Sequence, residues 1–351
     1  MGSADAPVWT AAQAATLLAD QTGLEDLLDV PALVLDLRDG SPDEFPAALH
    51  RAPCPVLAMT GADAATHWPV DLAIEEGSAD VALLGVDTEA AVAVLVAAAA
   101  ASPAAAGLLA QVLRATRSLS VADALVVESV AYSLLLTGPD FAHWLVQRRM
   151  PGAAASGESG VVVRREGPLL ELTLDRPSVR NAYDVTVRDA LVEGLSIAVH
   201  DATVERVVLR GNGPAFCSGG DLRDFGTSTD LVRAHGVRTT RHPGALLHAL
   251  ADRVEVHVHG GCVGAGVELP AFAGRVIARA DTVFQLPEVA MGTIPGAGGT
   301  VSLPRRIGPQ RTLLLALSGL LLTAGDALRW GLVDEVVDAL PESTMSAGRC
   351  L

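Results

Sequence analysis

Three glycine-rich segments constrain this chain more than anything else in it: AFCSGGDL (215–222), GCVGAGVEL (261–269) and FQLPEVAMGTIPGAGGT (284–300). Glycine is the default residue where a backbone must turn sharply or pass close to another group. The last two segments each carry a glutamate, Glu268 and Glu288, twenty positions apart. Paired carboxyls beside backbone-amide anion pockets suit proton transfer at a carbon next to a thioester carbonyl.

The chain has 351 residues, enough for two average domains or one large one. Half are hydrophobic but only 3% are aromatic, so the core must be built from Ala, Val and Leu. MPGAAASGESG (150–160) reads as a Gly/Ala/Ser linker. Before it, ALVLDL (32–37), PVLAMT (55–60) and DVALLGV (80–86) read as buried strands. From Asp87 the pattern turns helical, over 88–101, 103–116, 121–136 and 139–149. Ser120 is placed to cap the third of these, with Asp123 in its first turn.

After the linker, GVVVRREG, LLELTLDRP and ERVVLRGNG read as strands, with RDALVEGLSIAVHD as a helix between the second and third. VEVHVHG and GRVIARADTVF follow as strands. Alternating strands and helices predict an α/β layered fold. The longest apolar run, residues 90–110, is mostly Ala and is broken by Ser102-Pro103. It predicts two buried helices rather than a membrane span.

The formal charge is −16, and all 25 basic side chains other than His are Arg. An acidic surface argues against nucleic acid or an anionic membrane as partner. It leaves room for an anionic substrate held by a few local Arg. The four cysteines are widely spaced, with no ligand pattern, and no signal peptide is visible at MGSADAPVWT, so a reducing cytoplasm is expected. His235, His242, His248, His257 and His259 cluster without a metal-binding face, so no metal is expected.

Residues 160–340 resemble the crotonase superfamily, the enoyl-CoA hydratase/isomerase family. The resemblance is carried by LDRPSVRNAYD (174–184), GPAFCSGGDL (213–222), HGGCVGAGVEL (259–269), FQLPEVAMGTIPGAGGT (284–300), LPRRIG (303–308) and ALRWGLVDEVV (327–337), in the family's order and spacing. It implies an α/β spiral of ββα repeats for residues 161–340, followed by a short tail (341–351), and assembly into trimers or pairs of trimers. It also implies an acyl-CoA thioester as substrate, with no cofactor apart from the coenzyme A of the substrate itself. Family members continue past the LVDEVV region with helices that close the acyl pocket. Residues 88–149 resemble that tail, including an internal glutamate, Glu128. Residues 1–149 are therefore expected to be a decayed crotonase-like copy, with a degenerate α/β part (1–87) and the tail-like helices, which would dock on the second copy or on a neighbouring subunit. One departure is Gly274-Arg275, where relatives carry a Cys-Asp-like pair.

The resemblance also implies roles. Glu288 would deliver a proton to the α-carbon, and Glu268 would hold or deprotonate the attacking water. The backbone N–H groups of Ser218 and Ala265 would stabilise the enolate oxygen. Substrate or CoA contacts would fall to Arg180, Ala182, Gly219, Asp221, Leu222, Phe225, Gly264 and Gly292. Retention of both glutamates favours hydration of a 2-enoyl-CoA. The alternatives are an isomerase or other crotonase-type lyase or hydrolase on an unusual acyl-CoA and, from another class, a non-catalytic assembly protein with a degenerate site.

Overall fold

A computed structural model describes residues 7–19, 21–38, 47–61, 69–149 and 160–343. Most of the expected linker and tail, residues 150–159 and 344–351, lie outside the described residues.

The first part of the chain forms a parallel sheet in the order β1-β2-β3-β4 (Val8–Trp9, Leu33–Asp36, Val56–Thr60 and Leu72–Glu75). Helices α1 (Ala11–Leu18) and α2 (Gln21–Asp26) lie between the first two strands. Successive strand residues face opposite sides. Val34, Leu57 and Met59 accordingly join the main core, while Leu33, Leu35, Val56 and Ala58 join a second, smaller core with Ala14 and Leu18 of α1.

The expectation of a strand at 80–86 fails. Residues 79–82 form a short helix, α3 (Ala79–Ala82), and β4 supplies the remaining strand. Ser78 caps α3 by accepting from Val81 N–H at 3.3 Å, and Asp80 occupies its first turn. The apolar run is too short to distinguish strand from helix by pattern.

Four helices follow: α4 (Thr88–Ala101), α5 (Pro103–Ala115), α6 (Val121–Leu135) and α7 (Pro139–Gln147). Asp87 and Ser120 cap α4 and α6, and proline opens α5 and α7. No single helix among the described residues is long and apolar enough to cross a membrane.

The second part of the chain opens with an antiparallel hairpin, β5 (Gly160–Glu166) and β6 (Leu169–Asp175), turning at Gly167, whose φ is +55°. Helix α8 (Val185–His200) leads to β7 (Arg206–Gly211). Helices α9 (Leu231–Thr240) and α10 (Pro243–Ala249) precede β8 (Val254–Val258). Next come β9 (Gly261–Val263), α11 (Ala265–Glu268), β10 (Arg275–Arg279) and β11 (Val283–Gln285). Helices α12 (Gly299–Ile307) and α13 (Pro309–Ser318), strand β12 (Leu322–Thr323), α14 (Ala324–Trp330) and β13 (Glu335–Val337) follow among the described residues.

The larger sheet runs β13-β10-β8-β7-β6-β5 and is parallel apart from the hairpin. A three-stranded sheet, β12-β11-β9, lies beside it. Sheet and helices in this order form the α/β, crotonase-like spiral. The segment 274–284 forms two strands rather than one, because Thr282 turns the chain by donating to Arg279 O from both N–H (2.9 Å) and hydroxyl (2.6 Å). At the Gly274-Arg275 departure, Arg275 ion-pairs with Glu335 of β13 and Glu255 of β8 across the sheet.

One core cluster extends from Ala32 to Val333 and so joins both parts of the chain. Helices α5 and α6 pack on α12, α4 packs on α13, and α6 also packs on α9. Helices α4, α5 and α6 therefore dock on the chain's own second part.

Candidate active site

The first glycine-rich loop leaves β7 and is held by Asn181, a fully buried residue. Its Nδ2 donates to Asn212 O (2.8 Å) and Ala215 O (2.9 Å), and its Oδ1 accepts from Arg176 N–H (2.8 Å). The loop then pairs with Tyr183: Tyr183 N–H donates to Gly219 O at 2.8 Å, and Asp221 N–H donates to Tyr183 O at 2.9 Å. In parallel pairing a residue bonds the neighbours of its opposite number, not that residue itself. The N–H of Gly220 is thereby turned to the other side, and Gly220 lines a cavity there of about 300 Å³.

This geometry corrects one expectation. The Ser218 N–H donates to Arg180 O at 3.0 Å and its hydroxyl to Val179 O at 3.3 Å, so Ser218 is committed to loop structure and does not line the cavity. The donor available from this loop is Gly220, two residues on. The N–H groups of Gly220 and Ala265 make no hydrogen bond among the described residues. Ala265 is the first residue of α11, where helical N–H groups have no partner within the helix, and it lines the same cavity.

Glu268 and Glu288 also line this cavity. Glu268 ends α11 and is 2% exposed; its Oε2 accepts from Ala297 N–H (2.7 Å) and Gly299 N–H (2.8 Å). Burial pushes its carboxyl up to about 7, against the pull of those two donors. Glu288 follows β11. Its Oε2 is buried without a hydrogen-bond partner among the described residues, and burial first, then the charge of Glu268, hold its carboxyl well above the usual range. Gly264 packs against it: φ is +50°, and a Cβ there would collide with Glu288 Oε1.

A third buried glutamate comes from α6. Glu128 Oε1 accepts from Gly298 N–H (2.8 Å), and its Oε2 accepts from Thr300 N–H (3.0 Å) and Thr300 Oγ1 (2.7 Å). The four successive N–H groups from Ala297 to Thr300 are thus taken alternately by Glu268 and Glu128. Burial, then the charge of Glu268, push Glu128 up to about 8.

The remaining walls come from distant segments. Tyr132 of α6 packs its ring on Gly296, and Arg238 of α9 stacks over that ring at 5.1 Å. Phe225 meets Trp144 and Phe141 of α7, with ring centroids 5.6 and 6.4 Å away. Asp221 lines the cavity, and its carboxyl is held low by Arg223, with Arg176 adding to it. His242 lines it too, and burial lowers its imidazole to about 4, so the ring is neutral at pH 7.

The expected contacts divide accordingly. Asp221, Phe225, Ala265, Glu268 and Glu288 meet in one cavity, and Gly219 and Gly264 support its walls. Arg180, Ala182, Leu222 and Gly292 do not line it. Arg180 is exposed with φ +53°, and its carbonyl is the group that holds Ser218. Gly292, at φ +73°, packs against the backbone of Asp140 and Phe141, so its service is to seat α7. Sequence reasoning missed Gly220, Tyr132 and Arg238. Only Gly220 carried a signal, as one of the loop's paired glycines.

Cys217 is buried, and its thiol is pushed up to about 12, which leaves it inert. His259 bonds Gly213 O at 2.9 Å and His257 bonds Glu255, both structural contacts. The described residues hold no cluster of His, Cys, Asp and Glu that could bind a metal.

The family profile described as enoyl-CoA hydratase/isomerase matches residues 164–347. Among curated proteins, a 2,3-dehydroadipyl-CoA hydratase of Escherichia coli K12 is 34% identical over 178 residues, covering 51% of this chain and 69% of that protein. A 1,2-epoxyphenylacetyl-CoA isomerase of the same organism is 35% identical, covering 49% and 68%. Among solved structures, an enoyl-CoA hydratase of Mycobacterium smegmatis is 30% identical with a TM-score of 0.48, covering 51% and 70%.

Proposed function

The chain belongs to the enoyl-CoA hydratase/isomerase family, whose members are lyases and isomerases of acyl-CoA substrates, and from that premise we propose that it reversibly hydrates a 2-enoyl-CoA to a 3-hydroxyacyl-CoA. The observation that carries this reading is the meeting of two buried carboxyls of unequal acidity with two unpartnered backbone N–H groups in one cavity.

The thioester carbonyl oxygen sits between the N–H groups of Gly220 and Ala265. As water adds, negative charge grows on that oxygen, and fixed donors stabilise it without reorganising; one such donor is worth about 3–4 kcal/mol. Glu268, the easier of the pair to ionise, takes a proton from water, and the hydroxide oxygen bonds the β-carbon. The π electrons move toward the carbonyl as the enolate. Glu288, kept protonated by burial, then gives its proton to the α-carbon. Water has added across one double bond, and the two carboxyls have exchanged protonation states. Solvent exchange restores them, and the same path in reverse dehydrates the product.

Helices α6 and α7 support the site from residues that precede it in sequence, and we read residues 88–149 as serving the pocket-closing function of the family's terminal helices. We read the working form as a homo-oligomer, a trimer or a pair of trimers.

The test is the loss of enoyl-thioester absorbance with a panel of 2-enoyl-CoAs, for the wild type beside Glu288→Gln. Turnover in the wild type should fall about a hundred- to ten-thousand-fold in the variant, with binding of CoA esters retained. Binding without turnover on every 2-enoyl-CoA would remove the hydratase reading and leave isomerase or other lyase chemistry to be assayed.

A further inference from the structure

The cavity carries three arginines, and two of them have carboxylate partners. Arg188 pairs with Asp189 at 2.9 Å, and Arg241 pairs with Asp189 at 2.8 Å and Glu193 at 3.5 Å. Arg238 differs. Its Nε donates to Ser129 Oγ at 3.0 Å and its Nη2 to Ser133 Oγ, both neutral hydroxyls on α6. Its Nη1 makes no hydrogen bond, and no carboxylate lies within ion-pair distance of it among the described residues.

A guanidinium does not escape burial by losing its proton. Left in a partly buried wall it is a standing positive charge that lacks a counterion. The nearby acids do not serve. Glu128 spends both oxygens on Gly298 and Thr300, and burial favours the neutral forms of Glu128 and Glu288. Two serine hydroxyls and the Tyr132 face hold the guanidinium in place, which is how a site for a planar anion is built. It lies on the Glu268 side of the cavity: the Tyr132 ring beneath it packs on Gly296, next to Ala297, whose N–H is held by Glu268.

We propose that Arg238 reads a carboxylate at the far end of the acyl chain, so that the substrate is an acyl thioester with a second, free carboxyl group. This rests on the hydratase reading for the site's orientation. The other source of an anion is a phosphate of coenzyme A, and the experiment separates the two.

The wild-type chain is assayed on 2-enoyl-CoAs of equal length with and without a terminal carboxylate. In parallel, the dissociation constants of the corresponding saturated acyl-CoAs and of free coenzyme A are measured by calorimetry. The carboxylated compounds should be favoured about ten- to hundredfold in kcat/KM and in affinity, the range expected of a charge-assisted hydrogen-bonded pair. Arg238→Met should bring that ratio down to about one, and Arg238→Lys should keep part of it. A wild type that prefers the uncharged chain, or a ratio unchanged in Arg238→Met, overturns the proposal. So does an Arg238→Met that weakens free coenzyme A as much as the carboxylated ester. If Arg238→Met does not fold, the wild-type ratio and the lysine variant decide. If no enoyl-CoA is hydrated at all, the hydratase reading fails, and the affinities of the saturated esters still decide this one.

Discussion

Glu268 and Glu288 share a cavity but differ in what holds them. Two backbone donors lower the cost of ionising Glu268, whereas Glu288 has its own backbone N–H alone to do so and its Oε2 is buried with no partner among the described residues. Hydration needs the first as carboxylate and the second as acid. The rate should therefore rise with pH as Glu268, pushed up to about 7, ionises. It should fall again at higher pH as the Glu288 proton, held well above its ordinary value, is lost. The two limbs belong to the interacting pair rather than to either residue alone. The measurement is kcat/KM against pH in the hydration direction. A rate flat between about pH 5 and about pH 9 would contradict these assignments. The choice between Ser218 and Gly220 also lies at this scale. In extended backbone the N–H groups of residues two apart point the same way, but Gly219, at φ +88°, breaks that regularity between Ser218 and Gly220, so which residue donates depends on how the loop turns there and what it pairs with. The pairing is with Tyr183, thirty-seven positions before Gly220, and nothing local to CSGG reveals it.

Helix α7 shows how an element outside the matched family region controls the wall of the site. Its first turn lies against Gly292, where a Cβ would collide with the Phe141 amide nitrogen and φ is +73°. Gly292→Ala combines a strained left-handed residue with a backbone collision, so a loss of about 1–3 kcal/mol is expected. Thermal melting measures the loss. Because Phe141 and Trp144 pack on Phe225, KM should rise in the same variant. An unchanged melt would show that α7 does not seat on Gly292. The helices from α4 to α7 were legible to within two residues because their starts are written locally: Asp87, Pro103, Ser120 and Pro139. The 80–86 segment was not. Its hydrophobic run fits either element, and Asp80 is fixed by Trp330 Nε1 (2.8 Å) and Arg311 Nε (2.9 Å), more than two hundred residues away. Tyr132 and Arg238 were missed for the same reason, since α6 and α9 meet only in the folded chain.

At the scale of the molecule, three buried carboxyls with raised pKa link folding to pH. Glu128, Glu268 and Glu288 bind protons more tightly folded than unfolded. Between their ordinary value and their raised ones the native state holds more protons, so stability falls as pH rises through about 5 to about 8. Denaturant melts across that range should show it, and Glu288→Gln should flatten the slope. One of the three, Glu128, argues that the two parts of the chain are one folding unit. Glu128 supplies the acceptors for Gly298 and Thr300, while α5 and α6 cover α12 and α4 covers α13. The connection extends to the first sheet, where Ala73 N–H of β4 donates to Gln310 Oε1 of α13 at 3.1 Å. Removing residues 1–150 would expose one side of a core that runs from Ala32 to Val333, and would leave the Gly298 and Thr300 N–H groups without acceptors. Each lost hydrogen bond costs about 0.5–1.5 kcal/mol even where water replaces the acceptor, and the newly exposed apolar surface adds to that, against a domain's net stability of about 5–15 kcal/mol. The fragment 156–351 should accordingly be insoluble or inactive. A soluble fragment with wild-type turnover would mean that the second part closes its own site, and that the helices before it are dispensable to the chemistry.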